Sequence, residues 1–193
     1  MTRAKPIILA FDTSAAHCAA ALLSGDDIVT RVDEMKKGQA EHLMPMLEQM
    51  LKESGLAWSD LDAIAVGVGP GNFTGIRIAV SAARGLALGL NKPAIGVNGF
   101  ETRAFGAEGP YRAEIPAPRG QSYFLDFDED GPTGAPFQAE ATGMADASAD
   151  ELIAALARIA AKRLDGPNSR PAPLYVRSAD AAPPRDPAPV ILP

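Results

Sequence analysis

Two stretches hold residue types that could handle a phosphate. Asp12-Thr13-Ser14 closes an apolar, β-branched run, and GVGPGNFTG covers residues 67–75. A carboxylate at a strand end can sit beside Mg²⁺, hydroxyls can donate to phosphate oxygens, and a glycine turn opening a helix offers free N–H groups. The candidate residues for such a loop are Asp12, Thr13, Ser14, Gly69, Gly71 and Asn72. Their spacing matches neither common phosphate loop. GxxxxGK[ST] fails because no two glycines five apart are followed by lysine, and GxGxxG fails because Thr74 stands where the last glycine belongs. What remains is a strand, a tight turn and a helix N-terminus that Asn72 or Thr74 can cap. Two readings stay open: a nucleotide loop, working or vestigial, and the launch of a helix that docks another protein.

Few other residues offer chemistry. The two histidines, His17 and His42, are at no ligand spacing, so no metal site is expected. No nucleophile turn accompanies them, which argues against a hydrolase triad and protease activity. Arg77 and Arg84 could touch RNA or a partner carboxylate, although solvated helix arginines are the plainer reading, and Glu48 and Glu53 read as solvent-side charges. Cys18, the single cysteine, lies in the apolar run AAHCAAALL and suits a reducing compartment as a small core residue. With 18 Lys+Arg against 24 Asp+Glu, the net charge of −6 opposes general attraction to nucleic acid, so any RNA role is expected to need a partner. The N-terminal apolar run is short for a signal sequence, and Arg77 and Arg84 interrupt Ile76 to Leu90, so a cytoplasmic protein off the membrane is expected.

The elements that must position these residues follow from the patterning. Ile7 to Phe11, His17 to Leu23 and Ile28 to Val32 read as three short strands, the last two joined by the turn Ser24-Gly25-Asp26-Asp27. Leu43, Met46, Leu47, Met50 and Leu51 recur at three and four residues, which predicts a helix over 39–54 stopped by Gly55. Ala63 to Val68 reads as a buried strand, Thr74 to Leu90 as a helix and Ala94 to Val97 as another strand, giving the order βββαβαβ. Beyond residue 100 the pattern thins to one alternating strand, Tyr123 to Phe127, and one helix from the capping box Ser148/Glu151 to about Leu164. Prolines crowd the stretch after Gly166, which reads as extended or disordered, wrapping a surface, with Leu174 to Arg177 the one candidate for regular structure. The expected division is a first lobe over 1–100, a reduced second lobe over 101–165 and a proline-rich tail over 166–193.

Both long helices carry more apolar surface than one sheet can cover. On a helical wheel Ile76, Ala79, Ala83, Leu86 and Leu90 form one stripe, with Ile78, Ala82, Gly85 and Gly89 beside it and Arg77, Ser81 and Arg84 on a narrow polar line. The earlier helix spreads Leu43, Met44, Met46, Leu47, Met50 and Leu51 over roughly 160°. Packing within one core needs a stripe of only about 100°. The pattern alone leaves two explanations: the helices pack on each other inside one core, or part of their surface meets another chain.

At this point the residues resemble a family. ILAFDTSAAHCAAALLSGDDIV and AEHLMPMLEQMLKESGLAWSDLDAIAVGVGPGNFTGIRIAVSAARGLALGLNKPAIGV are similar, almost continuously from Ile8 to Val97, to the bacterial TsaB (YeaZ) proteins. The GPGNFTGIRI core at 69–78 is the most specific part, supported by His42-Leu43-x-Pro45 and by LYVR at 174–177. The resemblance implies an α/β, actin-like (ASKHA, ribonuclease H-like) fold with a βββαβα first lobe. It implies a non-catalytic partner of the transferase TsaD, acting with the ATPase TsaE to form N6-threonylcarbamoyladenosine in tRNA beside the anticodon. It further implies homodimers when alone, tRNA contact only through the complex, and ATP or ADP with Mg²⁺ in the assembled complex rather than a cofactor of the subunit. The implied interface is His42, Leu43, Met46, Leu47 and Met50 on the first helix with Phe73, Arg77, Ile78, Ser81, Ala82 and Gly85 on the second. The catalytic paralogue's His-x-x-x-His pair is reduced here to His42, and residues 104–173 fall short of the family's fuller second lobe. Two alternatives are a small ATP-binding kinase or ATPase built on Asp12 and the Gly69 to Gly75 turn, and a homodimeric regulatory protein.

Overall fold

The computed structural model describes residues 5–167 and 169–176. Strands β1 (Ile7–Asp12), β2 (His17–Ser24) and β3 (Asp27–Glu34) form an antiparallel meander, and helix α1 (Gln39–Glu53) leads back to β4 (Ala63–Gly67). Helix α2 (Phe73–Leu90) then leads to β5 (Ala94–Val97). The strands line up as β3-β2-β1-β4-β5, with β4 parallel to β1 and β5 parallel to β4. This is the actin-like lobe anticipated above. The N-cap is Asn72, whose side chain accepts from the Gly75 N–H, so α2 begins one residue earlier than expected.

Both faces of this sheet are covered, and the period-two geometry of a strand decides which residue serves which face. Leu9 and Phe11 of β1, Cys18, Ala20 and Leu22 of β2, and Ile64 and Val66 of β4 meet α1 and α2. Their alternates, Ile8, Ala10, Ala19, Ala21, Leu23, Ala63 and Ala65, meet helix α4 (Ala149–Arg163) on the other side. The α4 side is lined largely by alanine, and α4 answers with Ala157 and Ala160, so helix and sheet can approach closely. Continuous apolar runs such as Ile7 to Phe11 are what a strand buried on both faces requires.

The rest of the chain holds more structure than the patterning suggested. After the short helix α3 (Gly99–Ala104), three antiparallel strands replace the single one expected: β6 (Tyr111–Ala117), β7 (Gln121–Asp128) and β8 (Gly131–Glu140), in the order β6-β7-β8. Strand β6 carries Glu114 and Pro116, and β8 carries Pro132, Gly134 and Pro136, all poor strand formers. Strand β8 tolerates them because it sits at the edge of the sheet, where a missing N–H costs no ladder bond. Phe100, Ala113, Ile115 and Leu125 make a small core beneath this sheet. The expected helix from Ser148 is α4, with its capping box in place. Residues 171–176 run extended across the first lobe, so Leu174 to Val176 form no strand, and Arg177 with the rest of the proline-rich tail lies outside the described residues.

Candidate functional site

The two suspected phosphate loops are pressed against each other. The Asn72 N–H donates to the Ser14 carbonyl at 2.7 Å, and the Thr13 hydroxyl donates to the Gly75 carbonyl at 2.6 Å. The Asp12 carboxylate accepts the Ser14 N–H. The contact explains the glycines: a Cβ on Gly75 would lie 1.9 Å from the Thr13 carbonyl oxygen, and one on Gly71 would lie 2.6 Å from that of Ser14. Gly69 has φ 94°, a left-handed value that favours glycine. Three N–H groups at this junction, those of Ser14, Asn72 and Gly75, are therefore already given to protein oxygens. The glycines serve loop-on-loop packing and the start of α2.

Beside this junction a cleft of about 560 Å³ opens between the first sheet and the small one. Asp12, His17, Asn72, Phe73, Arg103 and Tyr123 are among its lining residues. Arg103, Tyr123 and Asp146, also at the lining, were not singled out from the sequence, because nothing in their local pattern shows that α3, β7 and the segment before α4 converge. Arg103 is held in place: its guanidinium binds Asp146 through two nitrogens and donates to the Gly99 carbonyl at 3.0 Å. Among the described residues no three of His, Cys, Asp and Glu converge as a metal cluster would require.

The docking candidates divide into two groups. Leu43, Met46, Leu47 and Met50 are buried against the sheet, so the apolar excess of α1 fills its own core and these four are not open to another chain. Only Met44 of that stripe stands out of the core, at 39% exposure. His42 is half-buried, with Nε2 2.7 Å from Asp33 Oδ2, tying α1 to β3. That bond holds the Asp33 carboxyl below its ordinary value, with Arg31 adding to the effect against some desolvation. The Cys18 thiol is pushed up to about 11, chiefly by burial and then by the carboxylates of Asp33 and Asp12, which suits a core residue.

Helix α2 is different. It buries Gly75, Ile76, Ala79, Val80 and Ala83 against the sheet and leaves the opposite face open. Ser81 and Gly85 are exposed, Ile78 and Ala82 are half-buried, and Leu88 is 85% exposed. Nothing lies within 4 Å of where a Cβ on Gly85 or Gly89 would project. Among the described residues α2 is also the one helix long and apolar enough to cross a membrane by composition. Its packing on the sheet and its two arginines account for it as a core helix with an apolar outer face.

Arg77 and Arg84 are engaged rather than simply solvated. The Arg77 guanidinium stacks 3.8 Å from the Phe73 ring centroid and donates to the Tyr175 hydroxyl at 3.0 Å, and Arg84 donates to the Pro171 carbonyl at 2.7 Å. Phe73 in turn packs on Tyr175, with centroids 5.1 Å apart.

Comparisons with known proteins agree with this architecture. Residues 33–125 match the family described as TsaD, tRNA N6-adenosine threonylcarbamoyltransferase. The "tRNA threonylcarbamoyladenosine biosynthesis protein TsaB" of Escherichia coli (strain K12) is 37% identical over 128 residues, 64% of this chain and 55% of that protein. A "tRNA N6-adenosine threonylcarbamoyltransferase" of Jannaschia sp. is 52% identical over 62 residues, 32% of this chain and 17% of that protein. The chain thus spans about half the length of the curated TsaB relatives it matches. The solved structure "YeaZ from Pseudomonas aeruginosa" superposes with a TM-score of 0.71 at 27% identity, covering 88% of this chain and 99% of that one. A match that runs over nearly the whole of a YeaZ structure at 27% identity, joined to 37% identity over about half of TsaB of Escherichia coli, supports membership of the TsaB (YeaZ) family.

Proposed function

We propose that this protein is a non-catalytic subunit that docks on the threonylcarbamoyltransferase TsaD and supports formation of N6-threonylcarbamoyladenosine in tRNA. The observation that carries the reading is the open face of α2, where Ala82, Gly85, Leu88 and Gly89 offer small and apolar groups at the surface. Small residues let a partner helix approach closely, and an exposed leucine beside them gains by burial. The likeness of residues 33–125 to the TsaD family suggests the partner's chemistry. A transferase with an equivalent helix pair could meet α2 face to face in a near-symmetric arrangement, as a second copy of this chain would when TsaD is absent. On this reading TsaE, ATP or ADP and Mg²⁺ act in the assembled complex, and tRNA is held there rather than by the free subunit.

Size-exclusion chromatography with light scattering, on this protein alone and mixed with TsaD of the same organism, tests the reading. A mixed complex is expected, and Ala82→Asp or Leu88→Asp is expected to abolish it. Leu88 is nearly free of the chain's own contacts, so Leu88→Asp should leave the melting temperature within a degree or two, a surface change being worth about 0.5 kcal/mol or less. Full binding by both variants would overturn the reading.

The cleft beside Asp12 is the observation that favours an ATPase instead. Against it stand the N–H groups already spent at the loop junction and the engagement of Arg103 by Asp146. Calorimetry with ATP and Mg²⁺ separates the two, since saturable micromolar binding by the free chain would support the ATPase.

A further inference from the structure

We infer that residues 171–176 are a strap that couples the open face of α2 to the cleft between the two sheets, an inference that rests on the docking reading and adds its regulation. The strap is fixed at three places on the first lobe. Pro171 is buried, passes Gly96 and accepts from Arg84, and the Leu174 N–H donates to the Val68 carbonyl at 2.7 Å. Tyr175 closes on Phe73 and Arg77 at the start of α2. The strap also reaches the second sheet. Leu174 packs against both the main core and the small core under β6 and β7, and Val176 packs against the small core.

The coupling follows from which residues are shared. Arg77 stands on the exposed side of α2, its guanidinium is pinned between Phe73 and Tyr175, and Phe73 is a wall of the cleft. Ile115 and Tyr123, which belong to the core that receives Leu174 and Val176, are also walls of the cleft. A chain docking on α2 must settle Arg77 and Phe73 in one arrangement, and these carry Tyr175 and the strap with them. The strap then holds the small sheet at one distance from the first. Contiguous packing of this kind is the physical route by which two sites share an equilibrium. The LYVR motif thereby gains a purpose: leucine fills the seam, tyrosine reads α2 and valine grips the second sheet.

Hydrogen exchange followed by mass spectrometry on the full chain tests this. In the free chain, Tyr175→Ala and Arg84→Ala should speed exchange roughly tenfold in 169–176, in 73–80 and in 111–128, and leave α1 and α4 unchanged. Tyr175→Phe, which keeps the ring on Phe73 and loses only the Arg77 bond, should restore most of the protection. Acceleration confined to 169–176, or spread evenly over every peptide, overturns the coupling. With TsaD added, docking should slow exchange in 169–176 and 111–128 as well as in α2, and protection of α2 alone also overturns it. Failure of TsaD to bind at all would refute the docking reading, while the free-chain arm would still decide whether the strap links α2 to the second sheet.

Discussion

Gly75 and Gly85 sit in the same helix, yet the same substitution should act on them with opposite sign. At Gly75 an added carbon meets the Thr13 carbonyl, a backbone atom in a loop fixed by hydrogen bonds, so either α2 or the Asp12 loop must shift. Gly75→Ala should cost about 3 kcal/mol, within the range for forced overpacking. Gly85 has open space around it, and Gly85→Ala should stabilise by about 0.5–1 kcal/mol through helix propensity. Urea unfolding of both variants checks the pair, and equal effects would contradict the geometry. Asp33 supplies a pH test at the same scale. Its carboxyl is held below the unfolded value of about 3.9, so its contribution to stability is complete above that pH and fades as pH falls through the folded value. Asp33→Asn should therefore be less stable than the parent near neutrality, and the difference should shrink in urea titrations below about pH 4. The sequence revealed the glycine turn and the cap but not the partner that demands the glycines. Thr13 meets Gly75 only through the parallel pairing of β1 with β4, a long-range contact that no local spacing encodes.

Among the elements, α4 shows how a clear local signal can leave its place in the molecule undetermined. Ser148 and Glu151 announce the helix start, and Ile153, Leu156, Ala157 and Ala160 give its buried stripe. Nothing nearby shows that the stripe covers β1 and β2 rather than the small sheet that immediately precedes it. The clue lies more than a hundred residues away, in the unbroken apolar runs of β1 and β2, which need a second covering layer. Leu156→Ala should then cost about 3 kcal/mol and lower the same cooperative transition that Leu47→Ala lowers from the opposite face, both residues being buried. A separate early transition in Leu156→Ala, seen as non-coincident fluorescence and circular dichroism curves, would mean that α4 folds with the small sheet instead. The apolar width of α1 and α2 was equally plain from the wheel. Its division, with α1 spent inward and α2 left open, depends on how each helix is rotated over the strands, and periodicity alone does not set that.

For the whole molecule, net charge and the engagement of the α2 arginines pull against direct RNA binding. The chain carries a net charge of −6, and the two arginines of the exposed α2 face are already occupied by Tyr175, Phe73 and Pro171. Binding to nucleic acid draws most of its free energy from cations that displace counterions, and non-specific complexes reach dissociation constants of only about 10⁻⁴–10⁻⁶ M even for proteins built for it. The chain by itself should therefore leave the mobility of tRNA unchanged at roughly 10 μM protein and near-physiological salt. On the proposed docking, adding this chain to TsaD should change the transferase's own retention of tRNA, and Leu88→Asp should remove that change while sparing the chain's own fold. A shift by the chain alone that survives Leu88→Asp and weakens steeply with salt would place an RNA surface on this chain itself. The docking face proposed on α2 would then have to share its role with that surface.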